Sequence, residues 1–156
     1  MPNPAEPPGV RVQIVKTFPP NIDAIRAKFP LVSDRRGLLF TYGTSLHNPD
    51  GVDVPNHLIE HESVHVRQQR EVGGPEKWWE LYLTDQTFRL RQEMEGCIVE
   101  YLTFCAGPPP RNRRARFAHL DTIAERLSSG IYGYMIRRQA AKSAILHGVE
   151  TTEVSI

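Results

Sequence analysis

A chain of 156 residues, 40% hydrophobic and 24% charged, has the material for one core and is too short for two, which predicts a single domain. A net charge of +1 gives no pull toward nucleic acid or an acidic surface, and no apolar stretch approaches the roughly 20 residues that span a bilayer. Neither nucleic acid nor membrane is therefore expected as a partner.

Residues 1–9, four of them proline, are expected to form an extended tail ahead of a domain over residues 10–150. They lack the charged start and apolar core of a signal peptide, so a soluble cytoplasmic protein is expected, with packaging into a particle as the other option. Val10, Val12 and Ile14 alternate with Arg11 and Gln13 and predict a half-buried strand that ends at Pro19 and Pro20. Asn21 is placed to cap a short helix on which Ile22, Ile25 and Phe29 share a face, closed by Pro30 and a turn over residues 33–37. Residues 38–46 predict the next strand segment, with Gly43 as a bend or hairpin point and residues 39–45 either an exposed edge or an interior strand. A turn follows at Asn48, Pro49, Asp50 and Gly51.

Pro55 suits the first turn of a helix, where its missing amide donor costs nothing, and Gly73, Gly74 and Pro75 break that helix afterwards. Trp78, Trp79, Leu81, Tyr82 and Leu83 read as core. Thr84 and Asp85 begin a helix with an apolar stripe of Leu90, Met94, Cys97, Ile98, Tyr101 and Cys105. Its two cysteines lie too far apart along the axis for a disulfide, match no CxxC or Cys/His pattern, and read as buried thiols of a reducing compartment. The basic cluster Arg111, Arg113, Arg114 and Arg116 follows three prolines and reads as a solvated entry to a helix carrying Phe117, Leu120, Ile123, Ala124 and Leu127. A last helix is expected over residues 137–146. The class is α+β: a small N-terminal sheet against two helices, then a helical C-terminal part.

The predicted helix after Pro55 contains His61-Glu62-Ser63-Val64-His65, an HExxH pentad. Two imidazoles four residues apart on a helix stand about 40° apart around the axis, one turn above the other, and can grip one metal ion. Glu62, next to the first histidine, can reach a water in the open position of a zinc ion and take its proton. Leu58, Ile59, Val64 and Val66 fall near the histidine side, so the pentad is expected to face the interior. Zinc needs a third protein ligand, and Glu93 and Glu95 flank the stripe of the next helix on opposite sides. Geometry alone admits either. Each has an arginine four residues earlier, Arg89 or Arg91, the ordinary arrangement of a solvated helix face.

These residues resemble the zincin metallopeptidases, in particular the small, minimal gluzincins, where HExxH precedes a second helix bearing a glutamate ligand. That resemblance implies a minimal peptidase fold with zinc held by His61, His65 and Glu93, and Glu62 as general base. Gluzincins commonly place the ligand glutamate three residues before a small residue and four before an Asp or Asn that supports a histidine. Glu93 and Gly96 match this pattern, and Cys97 departs from it where the brace is expected, which keeps Glu95 as the alternative ligand. A looser likeness over residues 39–134 is to small HExxH proteins of tailed phages and prophages.

The expected function is a zinc metallopeptidase acting on a peptide or protein substrate. The alternatives are a zinc-stabilised structural or interaction protein of phage origin without peptidase activity, and hydrolysis of a non-protein amide such as a cell-wall cross-link. Tyr132, Tyr134 and His147 are candidates for a donor to the developing oxyanion, because the stretch before Gly133 is flanked by glycines and able to swing over a cleft.

Overall fold

The computed structural model describes residues 12–154. The expected tail over residues 1–9 and the start of the first predicted strand at Val10 lie outside the described residues. The structure is α+β, with a small sheet near the N-terminus and helices after it.

Strand β1 is Gln13–Val15; Val12, the first described residue of the predicted alternation, lies outside it, and Ile14 is about half exposed. Helix α1, Ile22–Lys28, and a 3-10 turn at Pro30–Asp34 lead to strands β2, Phe40–Tyr42, and β3, Ser45–His47. β2 and β3 form the expected hairpin, with Thr41 opposite Leu46, while β1 pairs in parallel with β3. A parallel pair needs a crossover connection, and α1 with its 3-10 turn supplies it. The order β1-β3-β2 leaves β2 at an edge. The candidate edge is therefore narrower than residues 39–45: Ser45 sits in the central strand. Asn21 occupies the cap position of α1, yet its side chain makes no capping hydrogen bond.

Helix α2, Asn56–Glu71, carries the pentad, with Pro55 at its N-terminal boundary. Gly73 and Gly74 adopt φ of 103° and 124°, a region closed to side-chain-bearing residues, and this reverses the chain into α3, Pro75–Thr84. The Asp85 carboxylate accepts from the Phe88 amide 3.0 Å away and caps α4, Gln86–Ala106, as the sequence predicts. Helix α5, Arg113–Leu127, and a 3-10 turn at Gly130–Tyr132 precede α6, Arg138–Val154. The last helix runs well past the expected end at residue 146. No helix among the described residues is long and apolar enough to cross a membrane.

Two apolar clusters result. Ile25, Phe29, Val32, Phe40, Trp78, Trp79 and Tyr82 pack between the sheet, α1 and α3. Cys97, Leu120, Ile123, Ala124, Leu127, Ala141 and Ile145 join α4, α5 and α6. Of the two expected buried thiols only Cys97 is buried; Cys105 is half-buried. Tyr132 packs against both clusters, and α2 lies along α4.

Candidate metal centre

The 3.6-residue period of α2 puts His61 and His65 on its buried face, with their Nε2 atoms 3.1 Å apart. Glu93, from α4, completes the cluster: one carboxylate oxygen, Oε2, lies 3.3 Å from His61 Nε2, and the other, Oε1, 3.5 Å from His65 Nε2. All three side chains are buried. Glu93 Oε1 also accepts a hydrogen bond from the Tyr82 hydroxyl at 2.6 Å, whereas the buried Oε2 has no hydrogen-bond partner.

What lies behind the rings fixes their tautomers. His61 Nδ1 is 2.9 Å from a Glu100 carboxylate oxygen, and His65 Nδ1 is 2.8 Å from Gln68 Oε1. The Gln68 amide donates to Glu95 and to the Gln92 carbonyl, which fixes its oxygen toward His65. Both partners are acceptors, so both Nδ1 atoms donate, and in the neutral rings both Nε2 lone pairs face one another. Two lone pairs 3.1 Å apart beside a buried carboxylate oxygen without a partner repel unless a metal ion, or a proton shared between the rings, stands among them. The spacing fits that reading, since ligands about 2.0–2.1 Å from a tetrahedral ion lie about 3.3 Å from each other. Two nitrogens and an oxygen are a donor set for zinc, and α4 approaches closely enough only because residue 96 is glycine: a Cβ there would stand 2.8 Å from His61 Nε2.

Electrostatics of the cluster follow from burial and pairing. Burial by itself lowers the His61 imidazole, but pairing with the Glu100 and Glu93 carboxylates outweighs it and pushes it up to about 10. His65 is also raised against its burial, chiefly by the Glu93 charge. Glu93 and Glu100 are held well below the usual carboxylate range despite burial, Glu93 by the two histidines and Glu100 by His119, His61 and Arg126.

Glu62 lies at the open side of the cluster. It is half-buried, and one of its oxygens accepts from the Thr41 hydroxyl at 2.6 Å. Two compartments of one cleft meet there, sharing Leu38, Leu39, Glu62, Ile131 and Tyr132 as walls. One extends past His65 and Glu93, the other past His61 toward Arg126. The β2 edge forms one lip. Gln69 from α2 pins it, accepting from the Gly43 amide at 2.7 Å and donating to the Thr41 carbonyl at 2.8 Å, and Trp79 Nε1 donates to the same carbonyl at 3.0 Å. The stretch of edge left to a ligand is therefore upstream of Thr41.

Among the expected site residues, the structure brings His61, Glu62, His65 and Glu93 together. Glu95 instead points outward, half exposed, to Arg67 and Gln68. Arg89 is not on a solvated face: it is buried and donates to the backbone carbonyls of Tyr82 and Tyr132. The brace absent at Cys97 is supplied three residues later by Glu100, itself held by Arg126 and 3.3 Å from His119 Nε2. Of the three donor candidates, Tyr132 lines the cleft, Tyr134 is 71% exposed, and His147 is exposed on α6. Glu100, Gln68, Thr41 and Tyr82 were not anticipated. Glu100 leaves a trace in sequence, two helical turns beyond Glu93, and Gln68 another, one turn beyond His65; Thr41 and Tyr82 leave none. No family model matches the chain, and neither a curated protein nor a solved structure does.

Proposed function

We propose that this chain is a zinc-dependent peptidase whose ion is held by His61, His65 and Glu93 and whose general base is Glu62. The observation that carries the proposal is the convergence of two tautomer-fixed imidazole nitrogens on the buried Glu93 carboxylate, one of whose oxygens has no hydrogen-bond partner, directly beside a second carboxylate that lines a cleft. A zinc ion in that seat supplies Lewis acidity, which acidifies a water and draws charge onto a carbonyl oxygen.

The chain's own groups supply the rest. Thr41 ties down one Glu62 oxygen and leaves the other to accept a proton from a water in the cleft. That water's oxygen bonds to the carbonyl carbon, the carbon–nitrogen bond breaks, and Glu62 hands the proton to the departing amine. The second proton of the water passes from the new carboxylic acid to the amine, so carboxylate and ammonium are the products, with no covalent enzyme intermediate. Tyr132 stands over the same space, where a phenol can donate to an oxygen gaining charge. A peptide is the favoured substrate because the β2 edge upstream of Thr41 offers main-chain pairing to an extended strand.

Glu62→Gln tests this. The variant is expected to lose peptide hydrolysis by about 10²–10⁴-fold, the usual contribution of a positioned base, while binding zinc with unchanged stoichiometry. Wild-type turnover in Glu62→Gln ends the proposal.

A further inference from the structure

The face of α2 that carries His61 and His65 carries a third histidine, His57, one turn earlier. Helix α4 follows in the same register: Glu93 meets His61 and His65, and Glu100, two turns on, meets His61 from the other side. Helix α5 brings in His119, whose Nε2 atom lies 3.3 Å from Glu100 Oε1. One ligand atom from each of His57, Glu100 and His119 lies within 4.8 Å of the other two.

Three features set this group apart from ordinary aromatic packing. The His57 and His119 rings meet at 4.8 Å between centroids and 81° between planes, which repeats the 4.9 Å and 75° of His61 and His65. His119 Nε2 is a buried atom without a hydrogen-bond partner, because its approach to Glu100 Oε1 is not aligned as a hydrogen bond. Glu100 is also used unevenly. Its Oε2 accepts from His61 Nδ1 at 2.9 Å and from Arg126 Nη2 at 2.5 Å, whereas Oε1 has only two long contacts, 3.3 Å to Arg126 Nη1 and 3.3 Å to His119. Oε1 therefore has a lone pair to give. Phe104 stacks on His119 at 3.9 Å and meets His57 edge-on at 5.4 Å, which holds both rings around the gap.

We propose that His57, His119 and Glu100 Oε1 form a second site for a borderline divalent cation, zinc foremost, distinct from the one at His61, His65 and Glu93. Two imidazoles and one carboxylate favour zinc, nickel or copper over calcium and magnesium, which take oxygen ligands. The second site is the weaker of the two. Arg126 already offsets the Glu100 charge, and both ions draw on that carboxylate, one directly and one through the His61 ring. His57 is half-buried and lines neither compartment of the cleft, so the ion arrives from solvent on another side of α2. Its role is structural: the backbones of α2 and α5 otherwise barely approach one another, and one ion ties them together across α4.

Zinc uptake by the full chain, followed by equilibrium dialysis and elemental analysis at rising free zinc, tests the site. Wild-type protein is expected to take up two ions, the second at least about tenfold more weakly than the first, with a rise in Tm as the second fills. His119→Gln and His57→Gln are each expected to keep the tight ion and to lose both the weak one and its Tm increment. His57→Gln, at a half-buried position in the first turn of α2, decides the matter if His119→Gln does not fold. Two ions retained in both variants, or a single ion in wild-type protein that His65→Gln removes, overturns the second site and leaves the first standing. A single wild-type ion that survives His65→Gln and is lost in His57→Gln supports the second site and overturns the first.

Discussion

His61 is gripped from both ends, by Glu100 at Nδ1 and by His65 and Glu93 at Nε2. Two Nε2 atoms at 3.1 Å cannot both carry hydrogens, so the metal-free pair shares one proton that Glu93 stabilises. With the His61 value raised to about 10, that proton is present throughout the neutral range. A cation needs both nitrogens bare and must displace it. Zinc affinity is therefore expected to rise about tenfold per pH unit between pH 6 and 8, with about one proton released per ion. Calorimetry in buffers of different ionisation enthalpy counts that proton. Uptake without proton release would contradict the geometry. Glu100 belongs to the same chemistry: a carboxylate on Nδ1 fixes the ring and raises its basicity as a ligand.

Helices α2 and α4 form the site only because they approach closely at Gly96. Gly96→Ala would place a methyl group 2.8 Å from His61 Nε2, against a ring that Glu100 prevents from yielding. The variant is expected to keep its helical circular dichroism and to lose at least about tenfold in zinc affinity, the scale of a disturbed ligand orientation; unchanged affinity would show that the ring has room to move. The two helices were legible from sequence. Pro55 and the glycines after α2 bound one, and Asp85 starts the other. Geometry read from the sequence left Glu93 and Glu95 open, and the structure turns Glu93 toward the histidines and Glu95 toward Arg67. The brace was not legible, because residues 93, 97 and 100 share one face of α4 and the crossing of the helices, rather than any spacing, decides which reaches His61. Asn21 and the end of α6 were misjudged for a related reason: a cap signal or a periodic stripe shows that a helix is favoured, not which partner its side chains find.

Across the whole molecule, the site lies where two cores meet. The aromatic cluster under the sheet supplies Tyr82 and a wall of the cleft, and α5 brings His119 and Arg126 to Glu100. The α+β order was readable from period and turn residues, whereas contacts such as Thr41 to Glu62 join elements distant in the chain and appear only once the sheet edge is laid against α2. The activity proposed for the molecule depends on a cation among His61, His65 and Glu93. The most direct measurement is zinc K-edge absorption spectroscopy of protein loaded with one equivalent of zinc. It is expected to show two imidazole nitrogens and carboxylate or water oxygens at about 2.0–2.1 Å with no sulfur. A sulfur at about 2.3 Å, a single imidazole, or failure to retain the ion would contradict the account.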